Sequence, residues 1–297
     1  MKNHTSSLDD DKMLDWRHDD IERRFGFPGA RYTDVGTVFS LSLSLVLFGL
    51  VFAGMRFLPQ DAHRYRVVAL VMDRGWTPWA MIFLATLAFV ILLAKWRKLV
   101  FQSRAFGIEI IPSANDFALT SETAKDAIRR LRSFVDDPSK FVLFNRIERA
   151  LLNLHNIGNV SDVSEMLRAQ AENDESRSDS SYGILGGIVW AIPILGFIGT
   201  VVGLSGAIGK FGFVLNAESD IGSLKDGLAP VTENLGIAFD TTFLALVLAM
   251  GIQLFVTLLR KREERFLGDC RDYAHENVVA RLRLAHDSAD VAESGKR

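Results

Sequence analysis

One cysteine, Cys270, is all that 297 residues contain, which excludes an internal disulfide and leaves no second thiol for a metal cluster. Cys270 therefore reads as structurally neutral. A charge excess of either sign is missing as well. The formal net charge is −2, and without a basic surplus nucleic acid is not an expected partner. The six histidines are scattered along the chain, no Ser or Cys nucleophile has a neighbouring base at a recognisable spacing, and no phosphate-cradling glycine loop follows a strand. No enzyme, cofactor or metal site is predicted. Nor does the chain start like a secretory leader, which opens on a short basic stretch and ends at small residues. Here Asp9, Asp10, Asp11, Asp19 and Asp20 come first, so the first apolar block is expected to stay in the mature protein.

What is present is apolar residues in blocks: the chain is 48% hydrophobic yet 24% charged. Four windows suit a hydrocarbon core about 30 Å thick, which takes about 20 helical residues. They run over residues 35–55, 77–94, 183–209 and 235–259. The second opens with Trp76 and Trp79 and closes at Lys95, Trp96, Arg97 and Lys98, side chains of the kind that anchor at headgroup level. The third holds no charge. The fourth holds Asp240 alone and is stopped by Arg260, Lys261, Arg262 and Arg265.

The prediction is an all-α, polytopic membrane protein with four transmembrane helices and a helical cytoplasmic region. Its parts are a cytoplasmic N-terminal segment (1–34), a transmembrane hairpin (35–96), a cytoplasmic helical region (97–182), a channel-forming pair of spans (183–259) and a cytoplasmic tail (260–297). Orientation follows the Lys and Arg that trail the second and fourth spans. The connection over 211–230, with Glu218, Asp220 and Asp226 against Lys225, then lies outside, and both termini lie inside. Arg56, Arg64, Arg66 and Arg74 fall on the external side, against that rule.

Region 97–182 reads as helices packed on one another. Thr120 or Ser121 caps a helix in which Ala124, Ile128, Leu131 and Val135 share a face, and Asp137-Pro138 ends it. Phe141, Phe144, Ile147, Leu151 and Leu154 mark a second helix, stopped by Gly158-Asn159. A third starts at Ser161 and fades into a polar run from Glu172 to Ser181, expected to be a solvated face. No internal repeat is visible.

In the third span Gly196, Gly199, Gly203, Gly206 and Gly209 step by three or four, forming one small-residue face that lets a neighbouring helix approach. The fourth span carries a matching stripe of Ala238, Thr242, Ala245 and Ala249. Spans one and two have bulky residues throughout and are expected to form an outer, lipid-facing layer. Pro193 removes a backbone donor and is expected to bend the third span. Thr200 lies near the glycine face, and Thr241 and Thr242 lie in the fourth span. An isolated intramembrane Thr commonly bonds back to its own helix, whereas two on facing small-residue helices point to a pore. Asp240 costs about 2.5 to 3.5 kcal/mol at mid-helix, so it faces protein or water. It lies about 200° from Thr242 around the helix, which leaves two roles open, an ion path or a hydrogen-bonded strut. Glu233 and Asn234 read as interfacial residues or as an entrance for cations.

The run Ala191-Ile-Pro-Ile-Leu-Gly-Phe-Ile-Gly-Thr-Val-Val-Gly-Leu-Ser-Gly-Ala-Ile208 resembles the A-P-x-LG-x-x-GTV-x-G segment of TolQ and ExbB. Leu235-Gly-Ile-Ala-Phe-Asp-Thr-Thr-Phe-Leu-Ala-Leu246 is similar to the helix that follows it in that family. The resemblance to the MotA/TolQ/ExbB proton channel family covers about 161–265. It implies a homo-pentamer in the bacterial inner membrane, set around a dimer of a single-span MotB/TolR/ExbD-like protein that carries an essential membrane aspartate. Thr200 and Thr242 would flank that aspartate as it gains and loses H+, with Na+ as the alternative ion. Four spans resemble MotA, whereas the GTV segment leans toward TolQ and ExbB, and Asp240 stands where the family usually has a small or apolar residue. A scaffolding membrane protein, whose cytoplasmic helices recruit a partner while the spans only anchor, is the alternative reading.

Overall fold

The computed structural model describes residues 14–57, 71, 74–108, 110–111, 119–154, 160–216 and 221–282. Every element among them is helical. In chain order they are α1 (Trp16–Asp19), α2 (Ile21–Arg24), α3 (Thr37–Phe57), α4 (Thr77–Ser103) with a 3-10 turn at Arg104–Gly107, α5 (Ser121–Phe134), a 3-10 turn at Pro138–Lys140, α6 (Val142–Asn153), α7 (Val160–Ser181), α8 (Gly183–Asn216), α9 (Ile221–Ala274) and a π turn at His275–Val279. Four of these, α3, α4, α8 and α9, hold stretches long and apolar enough to cross a membrane. The chain is an all-α protein with four such helices.

Hydropathy windows underestimate the helices, because hydropathy reports membrane depth while helicity continues into polar sequence. Thus α9 begins at Ile221 and carries Pro230 inside it. The expected connection over 211–230 is mostly helical, and α8 itself runs to Asn216. Glu218 and Asp220 of that connection, Arg64 and Arg66 of the first hairpin, and the Gly158-Asn159 stop lie outside the described residues.

The chain forms two compact units, one from Met1–Gly36, Ala94–Ser181 and Leu259–Arg297, the other from Thr37–Leu93 and Tyr182–Leu258. In the second unit the first two spans do not behave alike. The apolar window of α3 is 17% buried and that of α4 is 50% buried, against 28% for α8 and for α9. The expected outer layer thus describes α3 and not α4. Met81 and Ala88 of α4 are completely enclosed, and Phe48 and Phe52 of α3 pack their rings on Trp79 of α4 at centroid distances of 6.4 and 4.5 Å.

In the first unit Thr120 caps α5: its hydroxyl accepts from the Thr123 N–H while the Thr123 hydroxyl accepts from the Thr120 N–H. Ala124 and Leu131 of that helix are buried, and Val135, expected on its face, is buried just beyond the helix in extended backbone; Phe141, Phe144, Ile147, Leu151 and Leu154 at α6 are buried as well. The polar end of α7 departs from expectation. It remains helical to Ser181, and its buried face continues as Val163, Leu167, Ala171, Asp174 and Ser178. Asp174 accepts a 2.9 Å hydrogen bond from Nε of Arg146, itself 1% exposed. The supposed solvated run therefore conceals an ion pair. Cys270 is fully buried in the same unit.

Lys95 and Lys98 are likewise not headgroup anchors. They lie on the face of α4 that carries Ile91, Ala94, Leu99 and Gln102 into the interior, and they are 1% and 2% exposed. Lys95 pairs with Glu263 at 3.3 Å, and Glu263 also accepts from the Thr33 hydroxyl. Lys98 meets Glu22 at 3.1 Å and Asp20 at 3.6 Å, and donates to the carbonyls of Asp34 and Ala30. Glu22 further accepts from the Ala30 and Gly36 N–H groups at 2.6 and 2.7 Å. Residues 20–36 are held to α4 through these contacts. Of the four closing residues Trp96 and Arg97, on the opposite face, are exposed as anchors would be, as is Trp76 at the start of the span.

The two acids around Lys98 differ. Glu22 is fully engaged, whereas neither oxygen of Asp20 makes a sound hydrogen bond, and burial raises the Asp20 carboxyl above its ordinary 3.8 despite the nearby Lys98 ammonium. A raised acid favours folding when protonated, so its contribution to stability falls as pH rises from 3.8 through the raised value. Removing Glu22 leaves Lys98 with Asp20 at 3.6 Å as its remaining carboxylate and takes the acceptor from two N–H groups, so Glu22→Ala is expected to cost about 3 to 5 kcal/mol. Asp20→Asn should cost far less at pH 7, and its stability relative to wild type should worsen toward pH 4. Thermal denaturation of the detergent-solubilised protein at both pH values checks this, and equal losses for the two variants would refute it.

Candidate ion-pathway site

The contact between α8 and α9 is built from residues with almost no side chain. A Cβ added at Gly196 would collide with the Ala245 methyl, and one at Gly199 with the Thr241 side chain. At Gly203 it would meet the Ala238 nitrogen and the Asn234 carbonyl oxygen, each at 2.8 Å, and at Gly206 the Asn234 Oδ1. The two small-residue stripes thus close on each other within one chain, with Ala238, Ala245 and Ala249 buried. Gly209 has nothing within 4 Å, so the packed stripe ends at Gly206. Asn234, read from sequence as interfacial, is a contact residue whose amide also donates to the Pro230 carbonyl at 2.6 Å.

This closure turns bulky residues outward. Trp190 and Phe197 of α8 are 73% and 66% exposed, and Phe239, Phe243 and Met250 of α9 are 68%, 65% and 71% exposed. Pro193 sits inside a continuous α8, beside a shallow apolar groove formed with Val189, Trp190 and Phe197. Its ring denies the Val189 carbonyl the usual helical N–H.

The expected trio of threonines separates. Thr200 and Thr242 meet hydroxyl to hydroxyl across the helix contact. Thr200 Oγ1 also lies 3.2 Å from the Gly196 carbonyl oxygen and 3.1 Å from that of Ala238. Thr242 Oγ1 lies 3.3 and 3.2 Å from the same two. The Thr241 hydroxyl also lies 3.1 Å from the Ala238 carbonyl oxygen, so three hydroxyl protons serve this cluster, and its remaining lone pairs are acceptor capacity that a cation or a hydrated proton can use. Thr200 and Thr242 are half-buried. Thr241, by contrast, is fully buried and bonds back to the Ile237 and Ala238 carbonyls. It packs against Gly199 and meets the hydroxyl pair only through the shared Ala238 carbonyl.

Asp240 lies on another face of α9, as its angular offset from Thr242 requires. Its carboxylate is 3.0 Å from Nη2 of Arg74 in the same chain, which is the strut role, with the partner in the first hairpin. Arg74 had counted only as a loop charge on the wrong side of the membrane. The signal that could have found it is that a lone intramembrane carboxylate requires a cation. Among the described residues no group of three or more His, Cys, Asp or Glu is placed to hold a metal ion.

A helix pair of this kind, small faces inward with a hydroxyl node between them, defines a helical membrane protein whose two apolar helices are closely packed. The family model of the MotA/TolQ/ExbB proton channel family matches residues 136–271, from just before α6 to near the end of α9. Through that stretch the chain matches the MotA/TolQ/ExbB proton channel family, and this match together with the four apolar helices supports a multi-pass membrane protein with a proton-channel role. The match reaches further toward the N-terminus than 161–265, taking in Arg146 and its helix. No curated protein and no solved structure matches the chain.

Two expectations follow. Gly203→Ala forces a methyl against backbone atoms and should destabilise by about 1 to 3 kcal/mol, whereas Gly209→Ala, in open space, should be neutral or gain up to about 1 kcal/mol from helix propensity. Thermal denaturation in detergent distinguishes them, and equal effects would refute the assigned contact. For the ion pair, Arg74→Ala and Asp240→Ala should each lower stability, while the double variant should be no worse than either. Additive losses in that cycle would show that the two residues do not interact.

Proposed function

We propose that the protein is the channel-forming stator subunit of a proton-driven membrane motor, not an enzyme. Five copies surround a dimer of a single-span MotB/TolR/ExbD-like protein, and ion-motive force becomes mechanical work through that partner. The ion is H+, with Na+ as the alternative. The site is the inner membrane of a bacterial cell, with both termini cytoplasmic, an orientation favoured by Arg260, Lys261, Arg262 and Arg265 after the fourth span.

The observation that carries this reading is the Thr200–Thr242 node within the family-matched segment. It offers oxygen atoms at the contact of two membrane helices, where an acid on a partner helix can exchange a proton with them or with water. The outward Trp190, Phe197, Phe239 and Phe243 side chains support assembly, because copies packed side by side cover apolar faces that a lone chain exposes. An oligomer of five distinguishes this function from scaffolding, for which a monomer or dimer suffices.

The test is co-expression with a candidate single-span partner and proton flux into reconstituted vesicles. Each Thr→Val exchange keeps shape and removes a hydroxyl worth about 1 kcal/mol, so Thr200→Val and Thr242→Val should each cut flux by roughly fivefold or more. Thr241→Val should affect stability more than flux. Unchanged flux in both of the first two variants removes the pore assignment.

A further inference from the structure

The first unit carries a groove of about 390 Å³ in which Arg24 of α2 lies with Arg97 and Arg104 of the α4 end. All three side chains are exposed, and among the described residues none makes an ion pair or hydrogen bond. Three unneutralised guanidinium groups converging on one groove contrast with Arg132, Arg146, Arg168 and Arg260 of the same unit, each of which holds a carboxylate. Lys98 at the back of the groove is already committed to Asp20 and Glu22. One exposed carboxylate, Asp19, also lines it, so the groove remains net positive.

The apolar side of the groove identifies the anion. Trp96 and Val100, one turn apart on α4, line it and are each 45% exposed. The same helix is uncharged from Thr77 to Ala94, so Arg97 follows within a turn of the apolar stretch, where a membrane-spanning helix meets headgroups. A free soluble anion has no use for an exposed indole and valine, whereas a lipid offers a phosphate to the guanidinium fork and glycerol and acyl carbons to Trp96 and Val100.

We propose that this groove is a binding site for the phosphate headgroup of an anionic phospholipid, with Arg24, Arg97 and Arg104 as phosphate ligands and Trp96 as the wall against the glycerol and upper acyl chain. Because α2 supplies one ligand and α4 the other two, bound lipid also ties the N-terminal segment to the membrane helix. Asp19 opposes the anion and sets an upper limit on affinity.

The experiment uses the full-length protein in neutral detergent, titrated with phosphatidylglycerol or phosphatidylcholine of matched chains, with bound lipid counted by native mass spectrometry. One basic group near an anionic headgroup is worth about fivefold, so with Asp19 opposing, phosphatidylglycerol should bind at least about tenfold more tightly than phosphatidylcholine. The triple variant Arg24→Gln/Arg97→Gln/Arg104→Gln should bring that ratio near one. Asp19→Asn should move it the other way, and the three Arg→Lys exchanges should keep most of it, which separates charge from misfolding. Arg129→Gln/Arg168→Gln, which removes two exposed charges elsewhere in the unit, should leave it unchanged, and millimolar inorganic phosphate should not displace the lipid. The proposal is overturned if wild type shows no headgroup preference, if the triple variant keeps it, if the control pair loses as much, or if inorganic phosphate alone occupies the site as strongly.

Discussion

The channel half of this protein depends on a contact made possible by missing atoms. Within a membrane, apolar side chains gain nothing by leaving lipid for one another, so helices associate through close van der Waals fit and hydrogen bonds. At Gly199, Gly203 and Gly206 the backbone of α8 comes so near to α9 that a single added carbon would overlap Thr241, Ala238 or Asn234. That nearness is what brings Thr200 and Thr242 to hydroxyl contact. If the helices stood a methyl group further apart, each Thr would simply bond back within its own helix. The polar node follows from the glycine stripe.

The two units solve the problem of buried polarity differently. In the membrane-spanning unit the polar atoms at the helix contact are neutral hydroxyls and carbonyls, and its one carboxylate within the fourth apolar window, Asp240, is matched by Arg74. In the charged unit full ion pairs are enclosed: Lys95 with Glu263, Lys98 with Glu22 and Asp20, Arg146 with Asp174. Such pairs contribute little net stability against apolar replacements, but leaving one partner alone is strongly unfavourable. They therefore restrict alternative packings, since each competing arrangement would strand a charge. Glu22, with two backbone donors besides Lys98, fixes the path of the segment that leads into α3.

The sequence was most legible where one physical signal acted alone. Length and hydropathy located the four membrane-length helices, because hydrocarbon thickness sets that scale without reference to neighbours. The capping residues at Thr120 and the apolar spacing of Phe141, Phe144, Ile147 and Leu151 located α5 and α6, because both are local. Legibility failed where a charged residue was judged by type. Lys95 and Lys98 were read as headgroup anchors and Asp174 as part of a solvated run, yet each continues a buried helical stripe: Asp174 follows Leu167 and Ala171, and Lys95 follows Ile91. Periodicity carried the information and polarity masked it. Arg74 was illegible for another reason, since its partner is 166 positions away in sequence by the difference of 240 and 74.

The placement of Asp240 constrains how such a channel can work. A hydroxyl can relay a proton by accepting one and releasing another, but it does not hold a charge at ordinary pH, so a carrier must be a group that titrates. The side chains in hydrogen-bonding contact at the node are the two threonines, and their remaining partners are backbone carbonyls. Asp240, the carboxylate of that helix window, points to another face and is occupied by an arginine. Freeing it for proton transfer would require leaving Arg74 uncompensated in an apolar setting, which is the costly direction. While that pairing with Arg74 holds, Asp240 is not the group that carries a proton at the threonine node.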